Sequence, residues 1–156
     1  MKRILTIWAT LGAAYVVFET LFRGYSHPSM FVVGGLCGVL VGAINQAPRF
    51  YRAPVIVQSV IGAVIVLAVE FVSGCVLWLG LGVWDYSNQP GNVLGQICPA
   101  FGLLWFFIMP LAIWAEDTTR YLIWAYDCAV YHSQEAPPTI APYSLKSVYG
   151  DFICGR

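Results

Sequence analysis

The stretch Val55–Leu79 reads VIVQSVIGAVIVLAVEFVSGCVLWL, and Glu70 is its one charged residue. An α-helix needs about 20 predominantly apolar residues to cross the hydrocarbon core of a bilayer. The stretch therefore predicts a transmembrane helix that starts at Val55 and ends near Leu79 or Leu81. Glu70 lies about nine residues before that end, roughly 14 Å below the membrane surface at ~1.5 Å per residue.

The rest of the chain is similarly apolar, since 59% of its 156 residues are hydrophobic and 10% are charged. Soluble domains average about 25% charged residues. Three further apolar runs predict transmembrane helices, from Ile4 to about Phe22, from about Pro28 to Asn45, and from about Pro99 to near Ala115. Proline suits the first turn at Pro28 and Pro99, whereas Pro110 predicts a kink inside the last helix.

The fold class expected is therefore all-α, a polytopic membrane protein with four transmembrane helices in one bundle over residues 1–116. Residues 117–156 are expected to form a cytoplasmic interfacial helix and tail. Within them, Thr118–His132 predicts either an amphipathic helix on the inner membrane face or an extension of the fourth helix. The N-terminus resembles a signal peptide, but its apolar run continues to Phe22, which favours a retained helix.

The basic residues predict the orientation of the bundle. With an even number of spans, five of the six basic residues that flank the spans fall on one side and only Arg23 falls on the other. Because Lys and Arg are enriched in cytoplasmic loops, both termini are predicted to be cytoplasmic, in the inner (plasma) membrane of a bacterium. The five residues are Lys2, Arg3, Arg49, Arg52 and Arg120.

Glu70 is the most informative single residue. A carboxylate at that depth costs about 2.5–3.5 kcal/mol on insertion scales, so it must face a partner or water. Helical spacing puts it on a stripe of small and polar side chains rather than toward lipid. Two interpretations stand side by side, a buried acid that fixes helix packing and a functional acid. The stripe comprises Ser59, Gly62, Ala63, Val66, Glu70, Ser73 and Gly74.

The outward loops add further candidates for a polar site. Glu19 precedes Arg23 by four residues, the favourable order for an ion pair on a helix. His27 can titrate near neutral pH. Either these residues form a helix-end ion pair, or they surround the mouth of an outward-facing cavity above Glu70.

The second loop contains VWDYSNQPGN, residues Val83–Asn92. Trp84 suits the aromatic belt at the membrane surface, and Asp85 suits an Asx-turn over Tyr86 and Ser87. Pro90 and Gly91 match the centre of a type II turn, and Asn92 can cap a following helical turn. Local chemistry therefore accounts for most of this loop without a substrate.

Small residues predict close helix packing. Gly34, Gly38 and Gly42 recur every four residues in the second helix, and Gly74 lies on the Glu70 stripe. Such spacing lets another backbone approach one helix face. Packing within the bundle is the preferred interpretation, and the alternative is a homo-oligomer interface.

Several classes of function are not supported. No nucleophile elbow, zinc-protease, Walker A or dinucleotide motif is present, so the sequence predicts no cofactor and no catalytic residues. The five cysteines show neither a disulfide framework nor a zinc site, so no metal is expected. Zero net charge predicts no nucleic-acid partner.

The run Val69–Trp105 resembles the core motif of the Putative ABC-transporter type IV family, the CmpB-like membrane proteins, with which animal transmembrane protein 229 is grouped. The resemblance extends over roughly Tyr15–Glu116, and Glu19 matches an acid in the first helix of that family. The chain departs from the family pattern at Gln89–Gly91. The matching motif residues are Glu70, Gly74, Trp84, Asp85, Tyr86, Ser87, Asn92, Gly95, Ile97, Leu104 and Trp105.

The resemblance implies a permease-type transporter. Glu19, Glu70 and Asp85 would line an outward-facing polar pocket, with Arg23 and His27 at its mouth. Tyr86 and Asn92 are further candidates for substrate or ion binding. The partners expected are membrane lipid and a separate ATPase or other membrane subunit, because the chain has no nucleotide-binding motif. The alternatives are a structural or regulatory subunit and, third, a lipid-directed enzyme using Asp85 and His27.

Overall fold

The computed structural model describes residues 2–47, 49–78, 83–138, 140, 144 and 147. Within these residues it has four α-helices and no strand, which confirms the predicted all-α class. The predicted end of the third helix beyond Trp78, and most of the C-terminal tail, lie outside the described residues. The helices are α1 (Lys2–Arg23), α2 (Pro28–Asn45), α3 (Val55–Trp78) and α4 (Pro99–Tyr131).

Prolines mark the start of two helices, as predicted. Pro28 occupies the first turn of α2 and Pro99 the first turn of α4, where a missing N–H breaks no hydrogen bond. The residue before Pro28, His27, caps α2, because its Nδ1 accepts a hydrogen bond of 3.2 Å from the Ser29 amide.

The fourth helix is longer than the sequence suggested. It runs through Pro110 and past Ala115 to Tyr131, a total of 33 residues. The helix continues past the predicted end of the span near Ala115, and Glu116 and Asp117 are buried in the bundle. Of the two interpretations of Thr118–His132, the structure has the extension of the fourth helix.

Three of the helices, α1, α3 and α4, are long and apolar enough to cross a membrane. The remaining helix, α2, is apolar but shorter, and its 18 residues reach about 27 Å at ~1.5 Å per residue. The chain is therefore a membrane protein with at least three helices of membrane-spanning character.

The glycines of α2 lie where neighbouring helices come closest. A Cβ built at Gly34 would meet Tyr15, and one at Gly38 would lie 2.5 Å from Leu11, both on α1. One built at Gly42 would meet Glu116 on α4. Helix α1 packs most extensively on α2, and α3 packs on α4. These contacts are all within one chain.

Candidate functional site

Glu70 lies on the buried face of α3, where the small-residue stripe was predicted. Its side chain is 4% exposed, and Ser59, Ala63 and Val66 on the same face are also buried. Its Oε2 atom has no hydrogen-bond partner among the described residues. A buried polar atom left without a partner costs about 1–3 kcal/mol, more for a charged group. The Oε2 atom of Glu116 is also without a partner, but the other oxygen of that carboxyl pairs with Arg120.

A cavity of about 320 Å³ borders Glu70. All four helices contribute to its walls, and almost all of the lining side chains are apolar, including Leu11, Val41 and Met109. Ligand pockets in proteins occupy about 300–1,000 Å³ and are mostly apolar with a few placed polar groups. The cavity therefore has the composition of a site for a small, largely apolar molecule.

Two aromatic side chains stand beside Glu70 in this cavity. The rings of Tyr15 and Trp105 are stacked with their centroids 5.9 Å apart, and both line the cavity. Trp105 lies next to the Glu70 carboxyl. Its buried Nε1–H nevertheless falls outside hydrogen-bonding geometry with any described residue. The cavity thus borders one acceptor and one donor that lie next to each other without closing a hydrogen bond.

Glu19 lies one helical turn beyond Tyr15 and is buried as well. Unlike Glu70 it has close partners, since Arg23 Nη1 lies 2.9 Å from Oε1 and the Ser26 hydroxyl donates to Oε2 at 2.5 Å. Arg23 also donates to the Tyr25 hydroxyl at 3.0 Å. The ion pair predicted between Glu19 and Arg23 is therefore present, with the loop serine as an additional partner.

Tyr86, in the loop between α3 and α4, lies close to the polar side chains of Glu19 and Arg23. Its ring stacks on Phe101 with centroids 4.5 Å apart, and its hydroxyl is within electrostatic reach of Glu19, Arg23 and Glu70. Burial and the carboxyl of Glu70 raise the pKa of Tyr86. The phenol therefore stays protonated at neutral pH and is available as a hydrogen-bond donor.

Trp84 fixes the second loop to the bundle. The prediction that it belongs to an aromatic belt is wrong, because only 7% of its surface is exposed and it packs against Met30 and Val33 of α2. Its indole Nε1 donates to the Gln96 carbonyl at 3.2 Å. Gly74 on α3 leaves room for this ring and for the Gln96 side chain, since a Cβ built at Gly74 would collide with Gln96 Oε1 and lie 3.1 Å from Trp84.

Asp85 and Asn92 hold the turn of the same loop. Asp85 accepts hydrogen bonds from the Ser87 amide at 2.8 Å and the Ser87 hydroxyl at 2.5 Å, the Asx-turn predicted from sequence. Asn92 Oδ1 accepts from the Gly95 amide at 3.0 Å. Gly91 has φ +71°, as a type II turn requires. These bonds lower the pKa of Asp85, since they stabilise its carboxylate.

The predicted site residues thus separate into two sets. Tyr86 lies within electrostatic reach of Glu19, Arg23 and Glu70, and Glu19 lies within reach of Glu70 and pairs with Arg23. The other three are occupied elsewhere, with His27 capping α2 and Asp85 and Asn92 bonded within their own loop. Of the three acids expected to line one pocket, Glu70 alone is among the lining residues of the cavity.

Another buried acid, Glu116 at the opposite end of the bundle, was not identified from the sequence. Glu116 is 0% exposed, contacts Gly42 and forms an ion pair with Arg120. The signal was available, because Glu116 and Arg120 have the same spacing as Glu19 and Arg23. Nearby, Arg3 of α1 lies 2.6 Å from Asp127 and joins α1 to the end of α4.

A comparison with known protein families supports the resemblance that the sequence motif indicated. The family model described as Putative ABC-transporter type IV matches residues 5–130, which includes all four helices except the ends of α1 and α4. No curated protein and no solved structure matches the chain. On the strength of the family match, the chain belongs to the Putative ABC-transporter type IV family.

Proposed function

We propose that this protein is a small permease-type membrane protein whose binding site is centred on Glu70. The Glu70 carboxyl would bind a proton, a cation or a hydrogen-bonding group of the substrate. The polar side chains of Glu19, Arg23 and Tyr86 would line the route to Glu70 from the outward side. A separate ATPase or other membrane subunit would supply energy, as the family description suggests.

The observation that carries the proposal is the unpaired Oε2 atom of Glu70 beside a cavity. Ionisable groups inside membranes are expensive and usually serve ion pathways, substrate sites or proton relays. The other two buried glutamates each have a cation, since Arg23 pairs with Glu19 and Arg120 pairs with Glu116, although Glu116 Oε2 also has no hydrogen-bond partner. Glu70 has no salt bridge among the described residues.

The proposal includes an arrangement in the membrane. We take α2 as a fourth span, because its length of about 27 Å is close to the ~30 Å hydrocarbon core. Both termini are then on the cytoplasmic side, together with the ion pairs of Arg3 and Arg120. The loop that contains Trp84 and Tyr86 faces outward.

Proteoliposomes containing a trapped pH-sensitive dye would test this function. Proton flux would be recorded alone and with polyols, amino acids or amines outside. We expect protein-dependent flux that Glu70→Gln abolishes while the variant folds normally. Glu135→Gln is the control, because it changes an exposed acid that pairs with Arg3 and does not line the cavity, and it should keep the flux.

The alternative is a structural or regulatory subunit without transport. It would be supported if wild-type liposomes showed no flux with any solute and Glu70→Gln lowered the melting temperature by several degrees. In that case Glu70 would serve the packing of α3 in the bundle.

A further inference from the structure

The cavity beside Glu70 reaches the outer surface of the bundle between α1 and α4. Phe18 on α1 and Leu111 on α4 both line it, and 42% and 36% of their surfaces are exposed. Leu111 lies 12 residues into α4, about 18 Å from the start of that helix at ~1.5 Å per residue. At that depth an exposed surface faces acyl chains, so the cavity opens to lipid.

Access from lipid restricts the ligand to molecules that dissolve in the membrane. The cavity walls require an apolar body, since Leu11, Val41 and Met109 offer no hydrogen bonds. The ligand also meets Glu70 Oε2 and the Trp105 Nε1–H, neither of which closes a hydrogen bond with a described residue. The bound molecule must therefore be an amphiphile with a single small polar head.

The polar head is defined by these two groups. Trp105 Nε1–H only donates, whereas a carboxyl accepts when ionised and can also donate when protonated. An ammonium cannot accept from the indole, and a second carboxylate would be repelled by an ionised Glu70. A hydroxyl both donates and accepts, so it satisfies Trp105 and Glu70 whichever form the carboxyl takes.

We propose that the cavity binds a membrane-dissolved aliphatic alcohol, which enters between α1 and α4 and places its hydroxyl between Glu70 and Trp105. The proposal rests on the proposed function, because it names the class of substrate for that site. The apolar chain of the alcohol would extend toward Met109, along the apolar walls of the cavity.

Photo-crosslinking in lipid nanodiscs tests this proposal. The probe is a long-chain alcohol with a diazirine at the end of its chain, and adducts are located by mass spectrometry. We expect adducts on cavity residues such as Leu11 and Met109, and competition by n-decanol at concentrations at least tenfold lower than by n-decane. A site built to bond a hydroxyl rejects the analogue without one.

Two variants distinguish the loss of the hydrogen bond to the ligand from a change in the fold. Trp105→Phe keeps a ring to stack on Tyr15 but removes the N–H, and should weaken competition by n-decanol about tenfold without affecting n-decane. Trp124→Phe makes the same change where the indole donates to the Glu135 carbonyl, and should have no effect.

Equal competition by n-decane and n-decanol, adducts outside the cavity, or tenfold stronger competition by n-decylamine would overturn the proposal. These results are independent of the flux assay. If Glu70-dependent flux persisted while the alcohol failed to compete, the substrate class alone would be wrong. If the alcohol competed as expected but wild-type liposomes showed no flux, the site would stand and the permease function would not.

Discussion

Glu116 and Glu70 are both almost completely buried, yet their surroundings differ. Glu116 has Arg120 beside it, one helical turn along α4. Glu70 has no salt bridge within the described part of the chain, and the position one turn further along α3 is Gly74. The difference teaches that burial alone does not mark a functional acid in this protein. What distinguishes Glu70 is burial without a compensating cation.

Glu19 extends the comparison to the other end of the bundle. It pairs with Arg23 in the same Glu-then-Arg order as Glu116 with Arg120. A local cation on the same helix therefore compensates two of these three buried acids, and those two acids have structural partners. The following predictions test whether Glu70, which has no such cation, differs from the other two acids in its effect on stability.

The largest expected loss of stability follows from breaking the ion pair between Glu116 and Arg120. Arg120→Met would leave the carboxylate of Glu116 buried without its cation, and should destabilise the protein by about 3 kcal/mol, the low end for breaking a buried pair. The low end applies because the Arg120 side chain is 28% exposed. Denaturant unfolding in bicelles measures it, and adding Glu116→Gln should restore part of the loss. If the single variant kept wild-type stability, Glu116 would not depend on its pair.

A smaller loss of stability is expected from breaking the ion pair between Glu19 and Arg23. Arg23→Met should destabilise the protein by about 1.5 kcal/mol, because the Ser26 hydroxyl still donates to the Glu19 carboxylate. Tyr25→Phe, which removes only the hydroxyl bonded to Arg23, serves as the control in the same unfolding measurement. A larger loss than for Arg120→Met would reverse the ranking of the two pairs.

Glu70→Gln should change stability by less than about 1 kcal/mol, because no ion pair is broken and a buried charge is removed. Glu116→Gln, the same substitution at a paired acid, should be clearly destabilising under identical conditions. If the two variants lost equal stability, the contrast between paired and unpaired acids would collapse, and with it the argument for a site at Glu70.

The smallest effect concerns Asp85, an exposed acid whose pKa is lowered by its bonds to Ser87. Such a group stabilises the folded loop above its unfolded pKa of about 3.9, and the contribution is lost as the pH falls through the lower folded value. NMR signals of the Ser87 and Gly95 amides should therefore shift only below about pH 4. Asp85→Asn should abolish this step, and its persistence would assign the step to another group.

The helices were predictable because lipid demands long apolar runs, and periodicity identified the buried face of α3. The starts at Pro28 and Pro99 followed from proline's lack of an N–H. The length of α4 did not follow, because Glu116 and Asp117 resemble a membrane boundary in sequence. The partner that lets Glu116 remain buried, Arg120, was instead assigned to the cytoplasmic side.

The site was predictable in part. Glu70 was identified from the cost of a charge in lipid, and the bonds of Asp85 from local turn chemistry. Sequence could not show that Trp84 turns inward, since that depends on the space beside Gly74. Nor could it show that Trp105 and Glu70 share a cavity, because they lie on different helices and meet only after packing.

The depth of Glu70 has an electrical consequence. The residue lies eight positions before Trp78, or about 12 Å from the end of the described helix at ~1.5 Å per residue. A charge that reaches it from outside crosses a substantial fraction of the ~30 Å membrane field. Moving one charge across the whole field is worth about 2.3 kcal/mol per 100 mV, so a proton or cation bound at Glu70, as proposed here, would have an occupancy that depends on voltage. A resting cell and a depolarised one would therefore fill this site to different extents at the same external concentration.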